Sequence, residues 1–146
     1  MSNIIIKIFD DEILPEMKCL LENIYKDNPE IINKLTYCNN AQNHVLTVVA
    51  IARSKIIGQA NIFQKPRLQS ITNIGYHVHK KYRDKGIATK LAQYAIDIAK
   101  TQGYSSFHII TEENNVPACH VAEKLKFNID SSMKIKGMRI YNKYFG

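Results

Sequence analysis

One mixed β-sheet covered by helices, α+β to α/β in class, is predicted by three observations. Strand-type and helix-type stretches alternate along the chain, in the order β-α-α-β-β-β-α-β-α-β-β. The 146 residues suit a single domain, 1–146, with a core of its own. A strand running into a short basic loop and then a helix occupies residues 71–98, at the middle of the chain.

The elements follow in order. Residues 4–9 suit a first strand, and Asp10 or Asp11 can cap the helix behind it. Ile13, Met17, Leu20, Leu21, Ile24 and Tyr25 form that helix's apolar face, and Asn28-Pro29 stops it. Ile31, Ile32 and Leu35 mark a second short helix before a polar loop at 38–44. Val45–Arg53 and Ile56–Phe63 read as a hairpin turning at Ser54-Lys55. Gly58 inside it signals a bulge or close backbone packing. Lys65-Pro66-Arg67 is a loop. Ile71–Val78 is the next strand, rich in β-branched and aromatic residues. Ile87, Leu91, Tyr94, Ala95 and Ile98 give the helix after it an apolar face, and Gly103 caps its end. A strand at 105–111 and a helix at 116–125 follow. Phe127–Lys134 and Met138–Tyr144 form a closing hairpin around Lys136-Gly137.

The segment from His77 to Leu91 carries the chemistry. The free N–H groups of a helix start, reinforced by the helix dipole, bind anions. Gly86 lacks a Cβ and lets a ligand approach the backbone, while Arg83, Lys85 and Lys90 add positive charge. The unit suits a pyrophosphate. It is neither a Walker loop nor a dinucleotide fingerprint, since the required glycines and Lys-Ser/Thr pair are missing. A second stretch runs from the strand at 105–111 through Asn115-Val116-Pro117-Ala118 to Glu123-Lys124-Leu125-Lys126-Phe127.

The spacing Arg83-x-x-Gly86-x-Ala88 resembles the [RQ]-x-x-G-x-[GA] signature of the GNAT N-acetyltransferase superfamily. Asn115, Ala118, Glu123, Lys124, Leu125 and Phe127 fall in register with its second motif, N-x-x-[AS] followed by E-K-L-G-F. The resemblance covers residues 45–130 well and the ends by topology. It implies acetyl-CoA as co-substrate, with the strands at 71–79 and 105–111 splayed and the pantetheine arm between them. Val78 and its neighbours would hold that arm; Arg83, Asp84, Lys85, Gly86, Ile87, Ala88 and Thr89 would wrap the pyrophosphate. Asn115 would face the thioester, as a cofactor-binding and catalytic residue.

Direct transfer to an amine needs a neutral nucleophile, oxyanion stabilisation and a proton for the leaving thiolate. The resemblance implies the backbone N–H near Val78 as oxyanion donor. The tyrosine with which many members protonate the thiolate aligns at Ala122, which has no hydroxyl, and a serine of another subgroup aligns at Ala118. Lys126 replaces the usual glycine of the second motif. No carboxylate stands among Thr72, Asn73 and Ile74 to act as base, which leaves His77, His79, His120 or a water chain. Of these, His77 and His120 are the catalytic candidates; each also has a plain reading, as a packed strand residue and as a residue on a solvated helix face. Tyr141 and Tyr144 either line the acceptor cleft or pack in the core. Cys119 reads as a buried structural thiol.

Composition bounds the alternatives. Hydrophobic residues at 45% and charged ones at 23% describe a soluble globular chain. No apolar run reaches membrane-helix length, and Met1-Ser2-Asn3-Ile4 lacks the basic start of a signal peptide. Cys19, Cys38 and Cys119 are scattered, as in a reduced, cytoplasmic protein, and the five histidines show no metal-ligand spacing. The net charge of +7 concentrates in the Lys80–Lys85 loop and the C-terminal hairpin, with an acidic counterpart in the first helix. It fits a CoA phosphate, RNA, or plain compositional bias.

Three readings follow. The leading one is an N-acetyltransferase acting on a small-molecule or protein amine, as a monomer or homodimer without membrane contact. A catalytically weak acyl-CoA-binding module and an enzyme acetylating aminoacyl-tRNA are the others, with nucleic acid the less favoured partner.

Overall fold

The computed structural model describes residues 3–9, 44–64, 72–132 and 134–145, together with Pro15, Cys19 and Glu22. The described residues form a seven-stranded mixed sheet in the order β1-β2-β3-β4-β5-β7-β6. The strands are β1 (Ile5–Ile8), β2 (His44–Ala52), β3 (Lys55–Gln64), β4 (Thr72–Val78), β5 (Ser106–Glu112), β6 (Asn128–Ile129) and β7 (Met138–Tyr144). Two helices, α1 (Ile87–Thr101) and α2 (Val116–Lys124), each follow a strand of the β4–β5 pair. The expected early helices and the loops at 38–43 and 65–70 lie outside the described residues, though Pro15, Cys19 and Glu22 have helical backbone.

β2 and β3 are central strands, buried along most of both faces, as their β-branched runs require. Their turn falls at Arg53-Ser54, one residue earlier than the sequence suggests, with both residues at positive φ. That is the backbone a two-residue hairpin needs to follow the strand twist. The ladder is interrupted between Ala50–Gly58 and Ile51–Ile56, so the bulge expected near Gly58 is present. Gly58 also answers a packing demand: a Cβ there would stand 3.0 Å from Leu91 Cδ1 and 3.2 Å from the His77 carbonyl oxygen.

α1 lies on one face of β2, β3 and β4. Its buried residues are Ile87, Leu91, Ala92, Ala95, Ile96 and Ala99. The expected apolar stripe was therefore rotated: Tyr94 is 38% exposed, and the small Ala92 and Ala99 seat the helix close to the sheet. Beneath it lie Val48, Ala50, Ala60, Ile62, Ile74 and Val78, joined by Phe107 and Ile109 from β5. α1 ends as foreseen at Gly103: the Tyr104 and Gly103 N–H groups donate to the Ala99 and Lys100 carbonyls, both at 3.1 Å.

The closing hairpin is shorter than the sequence suggests. Asn128 and Ile129 pair with β7, the Asp130 N–H adds a last bond to the Ile140 carbonyl at 2.8 Å, and the strand does not extend to Lys134. Asp130 ends it, because its Oδ1 accepts from both the backbone N–H and the hydroxyl of Ser132, a local turn that competes with the ladder. β7 inserts between β5 and β6, pairing antiparallel with β5 from Ser106–Tyr144 to Glu112–Met138.

Candidate active site

The central feature is a parting of two parallel strands. β4 and β5 pair only at Thr72–Phe107 and Asn73–His108. Beyond that point each strand keeps its other neighbour, β4 pairing with β3 through Val78 and β5 with β7 through Glu112. The His79 N–H donates to the Ile57 carbonyl at 2.7 Å, which directs the odd-numbered backbone groups of β4 toward β3. Antiparallel backbone groups alternate, so those of Tyr76 and Val78 face the gap, where β5 no longer pairs with them.

At the end of the gap the chain makes a basic cradle. A short 3₁₀ turn, Lys80–Tyr82, is capped by His79, whose Nδ1 accepts the Lys81 N–H at 3.1 Å. Arg83 Nε returns to donate to the Val78 carbonyl at 3.0 Å. Asp84 and Gly86 both have positive φ, +63° and +76°. Gly86 is the N-cap of α1 and offers no side chain to the first turn, which also contains no acidic residue. The N–H groups opening a 15-residue helix are therefore left for an anion. A Cβ on Gly86 would meet nothing within 4 Å, so the space over this turn is open. Arg83, Lys85 and Lys90 are exposed beside it. Next to the cradle lies a cavity of about 780 Å³, bounded by the Arg53–Ile57 turn, His79, Lys81 and Tyr82.

α2 forms the other wall. Asn115 is its N-cap, its Oδ1 accepting the Ala118 N–H at 3.3 Å, and Pro117 sits in the first turn where a missing N–H costs nothing. The cap uses the oxygen of Asn115, leaving its amide nitrogen as a donor. Tyr76 reaches across from β4, its hydroxyl donating to the Ala118 carbonyl at 2.8 Å. Burial pushes this phenol well above the ordinary tyrosine range. The far end of α2 is held by Lys143, whose Nζ donates to the Leu125 carbonyl at 2.8 Å.

The sequence candidates do not converge on one point. Tyr76 meets α2, so the adjacent His77 points to the opposite face of β4, while His120 is exposed on α2. His77 is half-buried, and burial, assisted by the Arg83 charge, lowers its pKa below 6.5. Ala122, where the thiolate-protonating tyrosine of many family members aligns, is 0% exposed, inside the core. Tyr141 is buried in the core, its hydroxyl donating to Glu123 Oε1 at 3.3 Å, and Tyr144 is exposed. Cys119 is buried, as expected.

A polar sheet face went unread in the sequence. Register places Thr47, Asn61, Gln59, His77, Asn73 and His108 on the side opposite α1. Thr47 donates to Asn61 Oδ1, and His108 Nε2 lies 3.5 Å from Asp130 Oδ2. Gln59 Nε2 and Asn73 Oδ1 are buried and find no hydrogen-bond partner among the described residues. Such groups are costly to leave unpaired.

Parted strands, an open strand edge and an uncapped basic helix start meet in one cleft. The Acetyltransferase (GNAT) family model matches residues 11–127, and the chain belongs to this family. It is 32% identical over 116 residues to N-alpha-acetyltransferase 30 of Schizosaccharomyces pombe (strain 972 / ATCC 24843), across 76% of this chain and 77% of that one. Its fold is that of PaiA N-acetyltransferase from Thermoplasma acidophilum, solved with coenzyme A. The TM-score there is 0.76 at 15% identity, with 98% and 99% of the two chains covered. A ribosomal-protein-alanine N-acetyltransferase from Brucella melitensis gives the same score and identity over 97% and 99%.

Proposed function

We propose that residues 1–146 act as one N-acetyltransferase domain, transferring an acetyl group from acetyl-CoA directly to a primary amine. The observation that carries this reading is the parted β4–β5 pair ending in the uncapped, basic start of α1. The open edge at Tyr76 and Val78 offers hydrogen bonds to an amide-bearing arm, and the first turn of α1 with Arg83 to Thr89 suits a pyrophosphate. The thioester supplies an activated acetyl group; the protein supplies position and charge. The Val78 N–H is set to stabilise the oxyanion, and the Asn115 amide to hold the reacting end. The amine approaches on the face of β4 that carries His77, which accepts its proton. A protein amino group is the favoured acceptor, because the curated relative is an N-alpha-acetyltransferase. The compartment proposed is the cytoplasm; no helix among the described residues is long and apolar enough to cross a membrane.

The test is calorimetry with acetyl-CoA, followed by thiol release with peptide amines, small amines and aminoacyl-tRNA. Binding without turnover on any acceptor identifies a binding module. Turnover confined to aminoacyl-tRNA, with steep salt dependence, identifies the RNA-directed enzyme. Absence of binding removes the proposal.

Two further results are expected. Asn115→Ala lowers turnover while leaving most of the acetyl-CoA affinity, and loss of the cap costs about 1 kcal/mol of stability in urea unfolding. Unchanged turnover would show that Asn115 serves only the helix. The second is a pH profile. A base must be neutral to accept a proton, and the His77 pKa is lowered, so its neutral form already predominates at pH 6.5. The acid limb of kcat/KM therefore falls below pH 6.5 and is abolished in His77→Gln. A limb above pH 6.5, or one retained in that variant, assigns the base elsewhere.

A further inference from the structure

We propose that Tyr76 is a catalytic residue, its phenol donating a hydrogen bond to the sulfur as the thioester breaks. The inference rests on the acetyl-CoA reading above and adds to it the group that meets the departing thiolate. In the transfer, the amine nitrogen bonds to the acetyl carbon. The carbon–sulfur bond breaks with its electron pair on sulfur. The proton lost by the nitrogen ends on sulfur by way of His77 or solvent. Negative charge develops on sulfur during this step, and a donor aimed at it lowers the barrier.

Such a donor must stand between the two walls of the cleft and be free to turn. Ala118 and Ala122 bring no side-chain hydrogen-bond donor to α2. The Cys119 thiol is turned toward the Glu112 carbonyl, and the Tyr141 phenol is engaged by Glu123. Tyr76 meets the requirement. Its backbone faces the gap, and its side chain spans from β4 to the first turn of α2, ending 2.8 Å from the Ala118 carbonyl.

That bond is replaceable. A carbonyl inside a helix also accepts the N–H four residues ahead, so Ala118 keeps a partner when the phenol turns away. The raised pKa of Tyr76 is consistent with a group that keeps its proton throughout and lends only a hydrogen bond. The phenol reaches the Ala118 carbonyl at the first turn of α2, next to the Asn115 cap. The missing hydroxyl of α2 is thus supplied from β4.

The experiment measures acetyl-CoA affinity by calorimetry and the chemical step by single turnover, with one acceptor that the native protein uses. Tyr76→Phe is expected to bind acetyl-CoA within about twofold of native and to react about tenfold more slowly. Replacing Tyr76 by fluorotyrosines of graded acidity keeps the shape and the hydroxyl, so the fold is preserved. Rates that follow phenol acidity support the proposal, since a strut bracing α2 would not respond to it. An unchanged rate in Tyr76→Phe, or rates indifferent to fluorination, overturns it. Failure of the native protein to bind acetyl-CoA would overturn the cofactor reading and this role together. Normal native binding and turnover with an indifferent Tyr76 overturns this role alone.

Discussion

Replacing Gly86 by glutamate weakens acetyl-CoA binding by well over tenfold, more than about 1.4 kcal/mol. Two effects combine. Gly86 holds a φ of +76°, a backbone that side chains other than glycine adopt at a cost of about 1–2 kcal/mol. The added carboxylate also favours the positive end of α1, so it competes from within for the N–H groups that would hold the pyrophosphate. The variant should fold, because a Cβ here enters open space. Gly86→Ala separates the effects: it carries the backbone cost without the charge, and its loss of affinity should be the smaller. Calorimetry on the three proteins, with circular dichroism to verify folding, decides the matter. Equal affinity for native and glutamate forms would place the phosphates elsewhere.

Ala122→Tyr loses stability, by about 1–3 kcal/mol or more, and gains no rate. The aligned motif alone suggests the reverse, a vacant position beside the cleft that a phenol would fill. In the fold, Ala122 belongs to the cluster that includes Leu91, Ala95, Phe107 and Cys119, without exposed surface. A phenol there must displace those neighbours or push α2 outward, away from Tyr76. Urea unfolding of both forms and single-turnover rates check this. A variant as stable as native and faster would show that this side of α2 opens toward the ligand.

These two positions also show what the sequence could reveal. Gly86 was legible as the start of a helix, because it follows a strand and a basic loop and precedes a periodic apolar stripe. Its positive φ supplies a second reason that the spacing did not disclose. Ala122 was misread because alignment gives a residue's place on a helix but not the direction that helix turns in the fold. α1 shows the same limit: Tyr94 extends the apolar spacing, but packing favoured Ala92 and Ala99. Tyr76 was invisible for another reason. Its partner, Ala118, lies 42 residues away, and the contact exists only because β4 and β5 part. The polar face of Gln59, Asn61 and Asn73 was hidden because alternating polar residues on a strand ordinarily read as solvent-facing. Here Gln59 is 2% exposed.

Gly58 has a mechanical meaning at a distance. The space left by its missing methyl is taken by Leu91, one turn into the helix whose opening N–H groups form the cradle. Leu91 therefore works like a foot, and Gly58 like the notch in which it stands. The depth of that notch sets how close the opening turn of α1 lies to the sheet. A side chain at Gly58 would therefore displace the cradle without altering any residue of it.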